Sequence, residues 1–201
     1  MKIPGLGDFP WATPFSLWAG ASGADAAPVN DNNPVPARLG AGEAHIGEVG
    51  GKTVVSSATL AVTASSAYAS GNVIGGKMTF AGFGRVAGGT GLIQMASIHS
   101  KSAQTFACDL VLFHTDPTAS TFTDKSALAV NAADFDKVLG VVHISDWTSL
   151  GTPSFAEATQ LAMAYKVASG QTDIYGVLVA RSTPTFGSTS DLKVIAKALL
   201  D

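Results

Sequence analysis

From Thr53 to Asp201, runs rich in Val, Ile, Thr and Phe are separated by clusters of Gly, Ser and Asn, which is the pattern of short strands joined by turns. The spacing predicts strands near 53–63, 72–82, 91–100, 105–114, 140–145, 160–168, 173–182 and 191–199. Leu192, Val194 and Ala196 alternate with Lys193 and Lys197, the mark of a sheet with one wet face. By contrast, the run from Ile174 to Ala180 is apolar on both faces, which places that strand in the middle of a sheet. One short helix is expected: Asn131 caps it, Asp134 stands where a capping box needs its acid, Phe135, Val138 and Leu139 form the apolar stripe, and Gly140 ends it. Ser154 and Glu157 repeat the capping pattern, whereas the alternation of Leu161, Met163, Tyr165 and Val167 favours a strand for the second half of 154–168. Eight short strands predict an all-β fold, a β-sandwich or jelly-roll-like domain, over residues 51–201. Within it, Gly75, Gly76 and Gly170 suit tight turns, and Phe80, Leu110, Leu112, Tyr175, Leu178 and Val179 are candidate core.

The first fifty residues follow neither period. They hold six of the nine prolines, at positions 4, 10, 14, 28, 34 and 36, each of which removes a backbone donor and pushes its predecessor toward extended geometry. Residues 1–50 are therefore expected to form an extended N-terminal arm, joined to the sandwich by the glycines near Gly51. Phe9, Trp11, Phe15, Leu17 and Trp18 concentrate large apolar side chains within eighteen residues, whereas disordered tails are poor in aromatics. These five are the candidate partner-binding residues, in a segment that orders when it docks against another protein.

Composition sharpens this picture. Charged residues make up 13% of the chain against about a quarter in an ordinary domain, so small uncharged side chains must cover much of the surface. Such a surface costs little to cover with a neighbour, and assembly into something larger is expected. The net charge of −3 offers no basic field for a nucleic-acid backbone. All of it lies in the arm, where Lys2 and Arg38 face Asp8, Asp25, Asp31, Glu43 and Glu48. Pro4, Asp8, Pro10 and Pro14 interrupt the apolar stretch that a signal peptide needs, and no run has the length of a membrane span, so synthesis as a soluble protein in the cytoplasm of the expressing cell is expected. Cys108 has no cysteine partner in the sequence and fits a small buried hydrophobe on a strand.

Candidate chemistry adds little. Gly51, Lys52 and Thr53 match the end of a phosphate loop, but position 46 is Ile rather than the required Gly, and a strand-like run follows instead of a helix. His45, His99, His114 and His143 with Cys108 show no close metal-ligand spacing. His143 and Asp146 could join a serine in a triad, but no nucleophile-elbow sequence is present. The oxygen-rich stretch from Asp116 to Asp124 lacks calcium-loop spacing, and Asp116-Pro117 is more simply a turn. Asp146, Trp147 and Thr148 are the one local candidate for a sugar platform. The expectation is a non-enzymatic protein without cofactor or metal.

Three stretches together carry a resemblance: TASSAYASGNVIGGKMTF at 63–80, DLVLFHTDPTASTFTD at 109–124 and ASGQTDIYGVLVARSTPTF at 168–186. They resemble a group of small tailed-bacteriophage structural proteins of head decoration, cement or fibre-base type. The resemblance covers roughly residues 53–201, consists of turn and core patterns, and transfers no functional residues. It implies a virion component, most naturally a capsid decoration or cement protein. A tail, neck or fibre-associated protein and a carbohydrate-binding adhesin are the alternatives. The implied partners are capsid or other virion proteins and further copies of the chain, with a trimer favoured, and neither nucleic acid nor membrane.

Overall fold

A computed structural model describes residues 51–201, together with the paired two-residue strands β1 (Trp18–Ala19) and β2 (Ala27–Pro28). The chain divides into two units, Met1–Val49 and Gly50–Asp201. In the first, β1 and β2 run antiparallel with Trp18 facing Pro28, a regular pairing that the proline pattern did not predict.

In the second unit, apolar alternation produces strands that form two antiparallel sheets. The strands are β3 (Lys52–Thr59), β4 (Val73–Phe80), β5 (Thr90–Ser100), β6 (Cys108–Phe113), β7 (Val138–Ile144), β8 (Trp147–Ser149), β9 (Ser154–Ala158), β10 (Met163–Lys166), β11 (Ile174–Ala180) and β12 (Leu192–Leu200). One sheet runs β3-β12-β5-β9-β8, with β10 also paired to β5, and the other runs β4-β11-β6-β7. If the eight longer-range strands are counted in chain order, with β8 and β10 set aside, the sheets read 1-8-3-6 and 2-7-4-5. That order is a jelly roll, the double-sheet form of Greek-key sandwich.

Leu192, Val194, Ala196, Ala198 and Leu200 of β12 point inward and are buried, while Lys193 and Leu199 face out, as the alternation requires. They meet Ile74, Phe80, Leu110, Leu112 and Leu178 of the opposite sheet in the main core. β11 lies between β4 and β6 and is covered on both sides. Its second face, with Val177 and Val179, joins Val73, Val111 and Phe113 in a smaller cluster roofed by Phe122, Leu128 and Val130 from the 114–131 connection. Tyr175 packs against this roofed cluster and is only half-buried, rather than lying in the main core.

Several local expectations change. The helix is a single turn, α1 (Ala132–Phe135). Asn131 caps it by accepting from the Ala133 N–H (2.9 Å). The acid of the capping-box pattern, Asp134, turns inward to accept from Ser120 Oγ (2.6 Å), and Ser120 in turn accepts the Asn131 N–H (2.9 Å). Val138, Leu139 and Gly140 belong to β7, and Phe135 is 70% exposed, so the apolar stripe was a strand rather than a helix face. Ser154 to Ala158 form β9, with Ser154 Oγ donating to the Ser102 carbonyl (2.8 Å) rather than capping a helix. β10 begins later than the alternation predicted because Gln160 (φ 57°) and Ala162 (φ 46°) are left-handed. Gly75 and Gly76 form a bulge inside β4 rather than a turn; at φ +71°, a Cβ on Gly75 would stand 2.6 Å from that of Leu60.

Candidate functional site

Phe9, Trp11, Phe15 and Leu17 lie outside the described residues, as does the side chain of Trp18. The described surface offers three other places where polar or apolar groups converge.

The first lies on the outer face of the four-stranded sheet. β6 is apolar except for Asp109, which is buried and faces His143 across the β6–β7 ladder. His143 Nδ1 is 2.6 Å from Asp109 Oδ1, and Arg181, just beyond β11, donates through Nε to Asp109 Oδ2. The imidazole is largely exposed, so the cluster is a buried carboxylate under two cationic or polar caps. The sequence-neighbour pairing of His143 with Asp146 does not occur; Asp146 is exposed and bonded by Ser145 Oγ. The signal that could have found the true partner was a lone acid inside an otherwise apolar strand.

The second is an open cleft of about 570 Å³ at one end of the sandwich, lined by His114, Leu139, Ala164, Tyr165, Lys166 and Val167 among others. Tyr165 donates its hydroxyl to the Phe83 carbonyl (2.7 Å), and burial pushes that phenol far above its ordinary pKa. Besides Tyr165, the titratable residues that line this cleft are His114 and Lys166.

The third is a set of buried or half-buried carboxylates that hold loops. Asp124 accepts from Gly75 N–H (2.6 Å), Thr63 Oγ1 (2.6 Å), Thr63 N–H (3.0 Å) and the Tyr68 hydroxyl (2.7 Å). Burial alone would raise the Asp124 carboxyl, but the Thr63, Gly75 and Tyr68 donors outweigh it and hold the group below its usual range. Asp191 does the same for a second loop pair, accepting from Ser102 Oγ (2.6 Å), Lys101 N–H (2.9 Å), Ser100 Oγ (3.2 Å) and Gly187 N–H (3.2 Å). Its carboxyl is also lowered, burial being overcome by those donors. Asp116 is ion-paired to Lys77, so both acids of the oxygen-rich 116–124 stretch, Asp116 and Asp124, are engaged by protein donors, and Asp134 beyond it is ion-paired to Lys137.

The remaining sequence candidates take structural places. Trp147 donates its indole N–H to the Phe106 carbonyl (2.6 Å) and packs against the Phe106 ring at 5.0 Å with a 40° tilt, which turns it toward the core rather than toward a sugar. Cys108 is buried on β6, its thiol pushed up to about 12 chiefly by burial and then by Asp109. Lys52 and Thr53 open β3, so no helix follows the Gly-Lys-Thr run. Among the described residues, no three His, Cys, Asp or Glu side chains gather as a metal site, and no helix is long and apolar enough to cross a membrane. No protein-family model matches this chain, and a search of curated proteins returns no match.

Proposed function

We propose that this chain is a structural protein of a tailed-bacteriophage virion, a capsid decoration or cement protein that binds the particle surface and stabilises it, with residues 1–50 as its anchoring arm. The observation that carries this reading is the loop-locked jelly roll. Asp124 and Asp191 tie long connections to the sheets, making a rigid block from a chain poor in charge. A particle protein needs such a repeatable block and a means of attachment, and many adjoining copies multiply a modest affinity. Jelly rolls recur in viral capsids and in lectins alike, so the fold is compatible with this role and with sugar binding, and does not choose between them. The commitment of Trp147 to Phe106 weighs against the local sugar platform. The five apolar residues Phe9, Trp11, Phe15, Leu17 and Trp18 supply side-chain types that dominate interface energy when enclosed. Fifty residues span at most about 165 Å when fully extended, and the antiparallel pairing of β1 with β2 shortens that reach.

Imaging of intact virions tests the placement. Decoration predicts density repeated over the whole shell, lost when the gene is deleted and restored by added protein. Density confined to a tail, neck or fibre base would instead favour the tail-associated alternative, and absence from the virion would refute both.

A further inference from the structure

An exposed strand edge carries unpaired N–H and C=O groups and invites another strand, so folded chains blunt their edges. Here most edges are blunted. β4 is covered where Val73 donates to the Ser126 carbonyl (2.8 Å) and accepts from the Lys125 N–H (2.9 Å), and its Gly75-Gly76 bulge breaks the rest. β7 has a register slip opposite Leu112 and Phe113, β8 is three residues long, and β10 is four. β3 has none of these devices. It spans eight residues in unbroken register with β12, without proline, and its one charge is Lys52 at the start. Its other edge has no strand partner among the described residues. Beside that edge stand two of the exposed large apolar side chains, Val55 (59%) and, on the neighbouring β12, Leu199 (42%).

We propose that the outer edge of β3 is a self-association surface on which a second copy of this chain lays its own β3. The pairing is antiparallel about a two-fold axis normal to the sheet and joins the two six-stranded sheets into one. Charge and shape favour this mate. An antiparallel copy centred on Val55 puts each Lys52 opposite Ala58 at the far end, whereas a parallel copy in the same register would set the two ammonium groups side by side. The axis keeps like residues on like faces, so with Lys52 opposite Ala58 each Val55 faces the other across the seam, while within each copy Lys197 stands beside Val55 and Leu199 lies diagonal to it. The contact is isologous and closes at two copies, in place of the trimer expected from the sequence. It does not depend on particle attachment, and its failure would leave the arm's role untouched.

Sedimentation of the full-length chain over a concentration series tests it, with Val55→Lys as the probe and Val86→Lys as the control. Val86 is exposed (65%) and lies on the 81–89 connection rather than on β3. Wild type and V86K should form the same concentration-dependent dimer, while V55K should raise the dissociation constant by about tenfold or more. Hydrogen exchange on wild type should show alternate amides of 53–59 slowing as concentration rises. A wild-type monomer throughout, a trimer, a V55K dimer as tight as wild type, or concentration-dependent protection elsewhere than β3 would each overturn the proposal.

Discussion

Asp124 shows how one residue can fix a large part of this molecule. Its carboxylate collects donors from Thr63, Tyr68 and Gly75, residues 49 to 61 positions away along the chain. It thereby holds the 114–131 connection that roofs the second face of β11. The donors favour the ionised form, so the folded pKa lies below the unfolded value of about 4. The stability this adds is present above that unfolded value and is lost as pH falls through the folded one; Asp134 and Asp191 are lowered as well and act in the same direction. Unfolding by urea should therefore show stability level near neutrality and falling below about pH 4. Asp124→Asn turns one acceptor into a donor facing other donors. It should cost about 1–3 kcal/mol at neutral pH and flatten the acid limb. An unchanged acid limb in that variant would show that Asp124 is not among the groups that set it. Residue roles of this kind were hard to read in sequence because their partners are distant. Asp109 and His143 are 34 positions apart and meet only because β6 and β7 pair, while the adjacent His143 and Asp146 do not meet. Cys108 was legible because it has no cysteine partner in the sequence and opens a strand that is apolar apart from Asp109.

At the scale of elements, period-two alternation located β5 and β12 to within a residue, whereas β3 stops at Thr59, four residues short of the expected run to 63, and β10 is shorter at both ends than expected. The doubly apolar β11 was recognised as central because no other environment accepts such a run. Where the pattern was short or shared with helix signals, it misled. β8 has three residues and no period to detect. β9 carries a Ser-x-x-Glu pattern that pairing with β5 and β8 overrides. Val138 and Leu139 resemble a helix stripe until β7 claims them. The central place of β11 has a direct consequence. Leu178 is fully buried between Ile74 and Leu110, and Leu178→Asp would put an unpaired charge there at a cost comparable with the whole stability of a domain, about 5 kcal/mol or more. The variant should accumulate as insoluble protein. A soluble variant with the wild-type circular dichroism spectrum would contradict the packing described for β11.

At the scale of the whole molecule, the proposed role divides the work between a jelly roll that folds by itself and a preceding arm that attaches it to a particle. Residues 51–201 contain both hydrophobic clusters found among the described residues and the carboxylate ties that hold their loops. Removal of residues 1–50 should therefore leave a folded, soluble domain with nearly the same melting temperature. The same deletion removes Phe9, Trp11, Phe15, Leu17 and Trp18, and with them the side chains assigned to binding. The most direct measurement is co-sedimentation of full-length and shortened protein with phage particles that lack it. The full-length chain should pellet with the particles, the 51–201 fragment should stay in the supernatant, and Trp11→Ala with Trp18→Ala should reproduce most of the loss. Equal pelleting of the full-length chain and the fragment would contradict this account and assign attachment to the jelly roll itself.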